Sequence, residues 1–343
     1  MNEVRLALIG FGNVAQGLVK ILDQYGDLYE SRYGIRFLIT AVADKSCGNV
    51  LNPEGISPAA LLAAMQTEKC LNDLPGSHPD GDAMEIIQSS PADVVVEMSY
   101  TNLETGEPAT GYIAEALSRK KHVVTTNKGP IALHYNRLLE LAHIHAVELC
   151  AEGTVMSGTP VLRVGKKLLA AAEIQRIEGI LNGTTNYILT QMAGGQSYAE
   201  ALAEAQRMGV AEADPTGDVE GFDAAAKVAI LSRLVLDCDL PFASVERKGI
   251  TGLTVDDIAN ATAEGKVWKL IGGLEKTGQG VRGWVRPECL PADHPLARVN
   301  GLTNAVLFTT DLLGSVTITG PGAGREETGY AVLQDLFRIY NVG

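Results

Sequence analysis

A strand, a glycine turn and a helix open the chain, and this order restricts the fold more than any other feature. Residues 4–9 form a short apolar run, which leads into Gly10-Phe-Gly12-Asn-Val-Ala15 and then into a helical pattern. In that context, G-x-G-x-x-A is typical of a dinucleotide-binding turn. Gly10 permits the tight turn, Gly12 lets the backbone approach a pyrophosphate, and Ala15 takes the packing position. The sequence therefore predicts a nucleotide-binding unit at the N-terminus.

Alternating strands and helices continue through residues 1–150 and predict a doubly wound, Rossmann-type parallel sheet. Apolar runs at 37–43, 93–97, 122–126 and 146–150 alternate with helical patterns, as in α/β folds. The second strand ends at Asp44-Lys45. An acid at this place commonly holds the ribose hydroxyls of NAD, whereas Lys45 suits a 2′-phosphate. The sequence leaves the choice between NAD and NADP open.

Polar residues end two later strands, at the edge where open α/β sheets bind ligands. Ser99 follows one strand, and Lys128 follows the next. A lysine at this edge can reach substrate or cofactor, although a lone lysine is more often solvated. The stretch at 46–91 is expected to be a surface excursion. The sequence assigns no role to it or to the acidic, glycine-broken stretch at 102–112.

A second domain is expected over residues 151–310, where the pattern becomes α+β with its own sheet. Strands are predicted near 174–181, 267–274, 281–285 and 305–309. A further strand, a Gly-Pro-Gly-Ala-Gly turn at 320–324 and a helix follow. We expect residues 311–343 to return to the nucleotide domain, with Gly322 close to the cofactor.

Five acids and a closing lysine are concentrated within residues 212–227. Pro215 and Gly217 are expected to prevent a helix in the first part, and a helix is predicted from residue 222. Asp223 and Lys227 then share one helical face. Such a cluster can hold the amine of a small zwitterion and supply a proton. The alternative is a helix cap at Asp218 and a solvated ion pair between Asp223 and Lys227.

Composition excludes several classes of protein. The net charge of −13 argues against a nucleic-acid surface and against binding to anionic membranes. No apolar run has the length of a membrane span, and the N-terminus shows no signal peptide, so a cytoplasmic location is expected. The five cysteines are scattered without a C-x-x-C pair, which predicts reduced thiols and no zinc site.

Five motifs in one order resemble homoserine dehydrogenase over essentially the whole chain. They are Gly-Phe-Gly-Asn-Val at 10–14, Thr-Asn-Lys-Gly-Pro at 126–130, Gly-Ile-Leu-Asn-Gly-Thr-Thr-Asn-Tyr-Ile-Leu at 179–189, the acidic run at 212–227, and Gly-Pro-Gly-Ala-Gly at 320–324. The third and fourth are specific to that family. The resemblance implies NAD(P)-dependent interconversion of L-homoserine and L-aspartate 4-semialdehyde, in the biosynthesis of threonine, methionine and isoleucine. It also implies a homodimer that forms through the second domain. Many members carry a C-terminal regulatory domain; none is expected here after the tail helix, which leaves feedback regulation by threonine open.

The resemblance also implies roles for single residues. Lys227 would donate the proton to the aldehyde oxygen, with Asp223 as its acidic neighbour and Lys128 beside the nicotinamide and substrate. The implied substrate residues are Glu212, Asp218, Gly183 and Thr184. Together with the glycine turn and the strand ends above, the expected cofactor residues are Gly10, Gly12, Asn13, Val14, Asp44, Lys45, Ser99, Lys128 and Gly322. A monovalent cation, typically sodium, would be held at Glu152, Val155, Ser157 and Thr159, mostly through backbone carbonyls.

Two alternatives are less compatible with the residues. An aspartate-semialdehyde dehydrogenase needs a cysteine nucleophile. Cys150 ends an apolar strand and Cys238 ends a helix, so neither lies in a suitable polar motif. A non-catalytic NAD(P)-binding sensor of the same fold is disfavoured because Lys227, Asp223 and Glu212 are all present.

Overall fold

The computed structural model describes residues 2–66, 70–78, 81–278 and 280–342. The chain divides into two compact units, Met1–Thr154 with Gly324–Gly343, and Val155–Ala323. Residues 1 and 343 of the predicted nucleotide domain, and 67–69 and 79–80 of the predicted excursion, lie outside the described residues. No helix in the described ranges has the length and apolar character needed to cross a membrane.

Twelve strands and twelve helices are described. The strands are β1 (Asn2–Ile9), β2 (Ile35–Asp44), β3 (Gly48–Leu51), β4 (Val94–Glu97), β5 (His122–Thr125), β6 (Leu149–Cys150), β7 (Ile174–Ile180), β8 (Glu246–Arg247), β9 (Lys266–Thr277), β10 (Gly280–Pro291), β11 (Thr303–Thr310) and β12 (Gly314–Pro321). The helices are α1 (Asn13–Tyr33), α2 (Pro58–Ala64), α3 (Ala83–Ser89), α4 (Ala109–Ser118), α5 (Lys128–His145), α6 (Val161–Arg163), α7 (Gly183–Ala193), α8 (Tyr198–Arg207), α9 (Thr216–Val219), α10 (Phe222–Leu236), α11 (Val255–Ala263) and α12 (Arg325–Ile339).

The first unit contains the predicted doubly wound sheet, with strand order β3-β2-β1-β4-β5-β6. Strands β2, β1, β4, β5 and β6 are parallel, and they read as continuous apolar runs because helices cover both faces. The fold class is confirmed, with one addition. The edge strand β3, which lies inside the predicted excursion, pairs antiparallel to β2.

Helix α12 packs against α1 in this unit, and a glycine makes the close approach possible. A Cβ atom added to Gly17 of α1 would lie 2.0 Å from the carbonyl oxygen of Arg325, the first residue of α12. The Arg325 guanidinium also donates a hydrogen bond to Asn13 Oδ1 at 2.7 Å. The C-terminal helix therefore belongs to the nucleotide-binding unit.

The second unit contains a mostly antiparallel sheet in the order β12-β11-β7-β9-β10-β8. Helix α7 packs on β9 and β11, and α10 packs on β9 and β10. The chain returns to the first unit later than at residue 311, the position expected from the sequence. Every residue of β11 pairs with β12, from Thr303 with Pro321 to Thr310 with Gly314, and this pairing keeps β12 in the second sheet. The chain rejoins the first unit only at Gly324.

Candidate active site

The acidic stretch forms two consecutive helices. The prediction that Pro215 and Gly217 prevent any helix before residue 222 is wrong, because α9 makes one turn over Thr216–Val219. Pro215 stands just before that turn, where a missing backbone N–H removes no helical hydrogen bond. Gly221 then adopts a left-handed φ of +79° and redirects the chain into α10. The bend between α9 and α10 brings the carboxylates of Asp218 and Asp223 to Asn182, which follows β7.

Lys227 and Asp223 form a buried ion pair on the first turns of α10. Lys227 Nζ donates to Asp223 Oδ2 at 2.7 Å and to the carbonyl oxygen of Leu181 at 2.5 Å. The two side chains are only 9% and 17% exposed. The alternative of a solvated surface pair therefore does not apply. Buried charges are normally paired, and Lys227, one of three lysines buried among the described residues, is paired with Asp223.

Asn182 joins this pair to a second carboxylate. Its Nδ2 donates to Asp218 Oδ1 at 2.6 Å and to Asp223 Oδ2 at 3.0 Å. Its Oδ1 accepts from the backbone N–H of Thr185 at 2.9 Å, which caps α7 at its first turn. This cap is why the helix begins at Gly183. One amide thus fixes a helix end and two acids together.

The electrostatics of the cluster favour a bound cation. Burial is the largest effect on Asp218 and raises the pKa of its carboxyl, and the neighbouring charge of Asp223 raises it further. Hydrogen bonds from Asn182 and Thr184 and the charge of Lys227 act in the opposite direction without reversing the shift. Two carboxylates therefore share one ammonium group. A second positive charge placed beside Asp218 would relieve the repulsion.

The other predicted substrate residues lie in different surroundings. Thr184 is buried, and its hydroxyl donates to the carbonyl of Val210 at 3.2 Å. A Cβ on Gly183 would lie 2.9 Å from the carbonyl oxygen of Leu302, so this position accepts only glycine without displacement of the backbone. Glu212 is exposed, and the structure does not bring it into the buried cluster.

The glycine turn of the first unit has the shape that a dinucleotide requires. Gly10 has φ +89°, and a Cβ there would lie 2.6 Å from the carbonyl oxygen of Met98. A Cβ on Gly12 would meet nothing within 4 Å, so its backbone stays open to a ligand. Helix α1 begins at Asn13, followed by Val14, and its N-terminus points its N–H groups toward this open side.

Asp44 is tied to the same turn. Its carboxylate accepts hydrogen bonds from the backbone N–H groups of Phe11 at 2.7 Å, Ser46 at 2.8 Å and Cys47 at 2.9 Å. Burial acts to raise the pKa of Asp44, but these hydrogen bonds together outweigh it and hold the pKa below its ordinary value. Lys45 beside it is exposed. The end of β2 therefore carries a firmly ionised carboxylate.

A buried carboxylate that the sequence did not single out organises the ends of β4 and β5. Glu97 accepts from the Ser99 hydroxyl at 2.5 Å, from the Ser99 N–H at 2.8 Å and from the Thr125 hydroxyl at 2.8 Å. Burial raises the pKa of Glu97 although these hydrogen bonds act against the rise. Asn127 donates to the carbonyls of Ser99 and Tyr100, both at 3.2 Å, and caps α5, whose first residue is the half-buried Lys128.

The segment predicted to hold a cation crosses the boundary between the units at residue 154. In the first unit, Glu152 is buried in a 3₁₀ turn, and its N–H donates to Asp335 Oδ2 at 2.9 Å. In the second unit, Val155, Ser157 and Thr159 are buried, and Ser157 has a φ of +52°. Across the described ranges, no group of three or more His, Cys, Asp and Glu side chains is arranged to hold a metal ion. Any cation here would depend on backbone and hydroxyl oxygens.

Gly322, expected beside the cofactor, packs within the second unit against a residue that the sequence did not single out. A Cβ on Gly322 would lie 2.2 Å from Nδ2 of Asn304, which is fully buried on β11. Asn182 lies inside the motif at 179–189, but the sequence assigned this residue no role of its own. No local signal marked Glu97 or Asn304.

Comparison with known proteins gives one consistent result. Residues 10–152 match the family model described as homoserine dehydrogenase, NAD binding domain, and residues 160–337 match the homoserine dehydrogenase model. A protein of Pseudomonas canavaninivorans named NAD(+)-dependent homoserine dehydrogenase is 45% identical over 99% of this chain and 97% of its own length. The homoserine dehydrogenase of Methanocaldococcus jannaschii is 39% identical over 98% of both chains. The crystal structure of a homoserine dehydrogenase from Thiobacillus denitrificans superposes with a TM-score of 0.86 at 31% identity, covering 99% of this chain and 73% of that one.

Proposed function

Because the chain belongs to the homoserine dehydrogenase family, we propose that Lys227 donates the proton when L-aspartate 4-semialdehyde is reduced to L-homoserine. The matches to the family models and to the named relatives confirm the resemblance that the motifs predicted, and with it an NAD(P)-dependent oxidoreductase activity. The observation that carries the proposal for Lys227 is its buried ammonium group, which two hydrogen bonds hold in place. General acids must be held within hydrogen-bonding reach of the oxygen that they protonate.

Asp223 and the Leu181 carbonyl would fix Lys227 Nζ for this step. Two of the three N–H bonds of the ammonium are already committed to these acceptors, at 2.7 and 2.5 Å. The third is then directed at a substrate oxygen. In reduction, Nζ gives its proton to the oxygen as negative charge develops there, and in oxidation the neutral amine accepts it back. Asp223 is proposed as a positioning residue, because it acts through Lys227.

Asp218 is proposed to bind the ammonium group of the substrate. Its carboxylate is half-buried, lies beside a second acid, and has only one cation near it, so a bound ammonium group would lower its free energy. Glu212 is exposed and would contribute only a screened, longer-range attraction. Preference for an amino acid over a simple aldehyde follows, since a ligand without the ammonium leaves one of the two acids uncompensated.

NAD is proposed as the preferred cofactor. When bound, the reduced nicotinamide supplies a hydride to the aldehyde carbon. The open backbone at Gly12 and the N-terminus of α1 fit the pyrophosphate, and the ionised Asp44 fits the ribose hydroxyls. The same carboxylate would repel the 2′-phosphate of NADP, against which the exposed Lys45 offers only partial compensation. Ser99 and Lys128, held by Glu97 and Asn127, are proposed to lie at the nicotinamide end.

A monovalent cation is proposed at residues 152–159, held mainly by backbone carbonyls. Support comes from the donor set: Ser157 and Thr159 bring hydroxyl oxygens, and the left-handed φ of Ser157 turns the local backbone. Thr159 is itself fixed, because its hydroxyl donates to the carbonyl of Pro321 at 3.1 Å. Bound sodium would stiffen this segment. The activity assay below, run in sodium chloride and in choline chloride, tests the assignment.

A homodimer that forms through the second sheet is also proposed. β12 is an edge strand, and the turn before it exposes Leu312 and Leu313. An open edge of this kind is a ready template for pairing with another copy. Light scattering of the purified protein gives its mass in solution, and a monomer at micromolar concentration would exclude this assembly.

The proposed function is tested by mixing the purified protein with L-homoserine and either NAD⁺ or NADP⁺. We expect the near-ultraviolet absorbance of the reduced nicotinamide to rise, and to rise faster with NAD⁺ at equal concentrations. Nucleotide binding without turnover under any salt condition would support the non-catalytic sensor instead.

A further inference from the structure

An asparagine on β11 is buried without any hydrogen-bond partner. Asn304 is 0% exposed, and neither its Nδ2 nor its Oδ1 has a partner within the described residues. A buried amide that makes no hydrogen bond destabilises the folded protein, because it has given up its bonds to water. Asn304 therefore needs an explanation other than stability.

Another asparagine of the same unit shows how this fold treats a structural amide. Asn186 on α7 is 1% exposed, and its Nδ2 donates to the carbonyls of Val299, Gly301 and Thr303 at 3.2, 3.0 and 3.1 Å. Its Oδ1 accepts from Lys269 Nζ at 3.0 Å. Both ends of that amide are satisfied. Asn304 and Asn186 thus form a matched pair, one unsatisfied and one satisfied.

The strand pairing places Asn304 one strand away from Leu181, the residue whose carbonyl accepts a hydrogen bond from the proposed proton donor. Ala305 of β11 pairs with Ile180 of β7, so Asn304 lies next to Leu181, one residue further along the pair. The carbonyl of Leu181 is the one that accepts the hydrogen bond from Lys227. Adjacent strands are about 5 Å apart, so the Asn304 backbone lies one strand away from this carbonyl.

Two glycines flank the Asn304 amide. A Cβ on Gly322 would lie 2.2 Å from its Nδ2, and a Cβ on Gly183 would lie 3.5 Å from its Oδ1. Gly183 is also the first residue of α7, an eleven-residue helix. The first N–H groups of a helix have no partner inside the helix, and they attract anions. The Asn304 amide and the N-terminus of α7 therefore lie side by side. The amide oxygen is the atom nearer Gly183, and a rotation of the amide by about 180° in χ2 brings Nδ2 to the first N–H groups of the helix.

We propose that Asn304 binds the carboxylate of the amino-acid substrate, with Nδ2 as the donor and the N-terminus of α7 beside it. This inference rests on the proposed function. The carboxylate of an amino acid is an acceptor only, which matches these donors, while its ammonium group matches Asp218. The zwitterion is then held at both ends, and its side chain is left to reach Lys227.

The test is the Asn304→Leu variant, in which a side chain of similar shape lacks both polar atoms. The KM for L-homoserine should rise about 10- to 100-fold, as expected for losing a hydrogen bond to a charged group. The Kd for NAD⁺, measured by fluorescence without substrate, should stay unchanged. The melting temperature should stay the same or rise, since no buried polar group loses a partner. The matched control Asn186→Leu should instead melt at a lower temperature, because the four hydrogen bonds of that amide, three to backbone carbonyls and one from Lys269, are lost.

Three outcomes would overturn the inference. An unchanged KM together with a raised melting temperature makes Asn304 dispensable. A weakened Kd for NAD⁺ with an unchanged KM assigns the amide to the cofactor. A drop in melting temperature like that of Asn186→Leu makes the residue structural. Failure of the proposed function is separate, because it appears as absence of turnover in the unmodified protein. In that case, the stabilisation of each protein by added L-homoserine still measures whether Asn304 contributes to binding.

Discussion

Replacing Lys227 by methionine removes the proposed proton donor while keeping an unbranched side chain of similar length. In the structure, Nζ is held by Asp223 and by the Leu181 carbonyl, and the lysine side chain is only 9% exposed. The substitution therefore has two separable effects. It removes the acid from the reaction, and it leaves Asp223 buried beside Asp218 without its cation.

The size of each effect follows from this environment. Loss of a general acid lowers rates by about 10²–10⁴-fold, and loss of a preorganised charge adds to this, so we expect kcat to fall at least about a thousandfold. Removing one partner of a buried ion pair typically destabilises a protein by about 3–5 kcal/mol. Asp223 keeps its hydrogen bond from Asn182 and some solvent contact, so a loss of about 3 kcal/mol, at the low end, is expected.

The double variant Lys227→Met/Asp223→Asn separates the two effects. It removes the repulsion between the two acids and leaves Asp218 as the one charge of the cluster, still hydrogen-bonded by Asn182, so urea denaturation should show most of the lost unfolding free energy restored. The turnover of L-homoserine with NAD⁺ should remain as low as in the single variant, with the Kd for NAD⁺ unchanged in both. If Lys227→Met keeps a kcat within tenfold of the unmodified protein, or if the double variant is as unstable as the single one, the reasoning is wrong.

Two further predictions concern pH. Because its pKa is raised, Asp218 gains a proton at a higher pH than an ordinary aspartate does. The KM for L-homoserine should therefore rise as the pH falls through the range in which Asp218 is protonated. Steady-state kinetics across pH should show, for Asp218→Asn, a KM about 10- to 100-fold higher that lacks this pH dependence. Burial lowers the pKa of Lys269 from 10.5 to about 8. Between these two pKa values the unfolded chain binds more protons than the folded one, so the free energy of unfolding should increase with pH, by at most about 1.4 kcal/mol per pH unit. Urea titrations of Lys269→Met at several pH values should lack this increase. The same increase in the variant would show that Lys269 is not its source.

The nucleotide-binding unit was predictable because its constraints are local. Gly10 needs a left-handed φ, Gly12 needs an open side and Ala15 needs to be small, and all three lie within six residues. The second glycine turn looks similar in sequence but has a different local geometry. Gly322 does not adopt a positive φ, and it packs against Asn304 of β11. The pattern of strand, glycines and helix therefore predicted the final helix correctly and the boundary before it incorrectly.

The candidate site was predictable only in part, for a similar reason. Asp223 and Lys227 are four residues apart on a helix, and that spacing is visible in the sequence. Asn304 comes close to Leu181 only because β11 pairs with β7, and this pairing joins residues more than a hundred positions apart in the sequence. Pairing of this kind depends on the whole sheet, so no local pattern marks Asn304. The same holds for Asp335, which meets Glu152 across the first unit.

The charges of the cluster formed by Asp218, Asp223 and Lys227 explain why an amide, and not another cation, joins the two acids. Asp218 and Asp223 repel each other, and Lys227 compensates one of them. A second lysine in place of Asn182 would neutralise the cluster completely and leave no attraction for a substrate ammonium group. The Nδ2 group of Asn182 instead satisfies both carboxylates with hydrogen bonds at 2.6 and 3.0 Å while adding no charge. The unliganded cluster thus keeps a net negative charge in a half-buried place, where it is screened little by salt. In the proposed binding mode, the ammonium group of an amino acid supplies the missing positive charge, which a ligand without an amine cannot do.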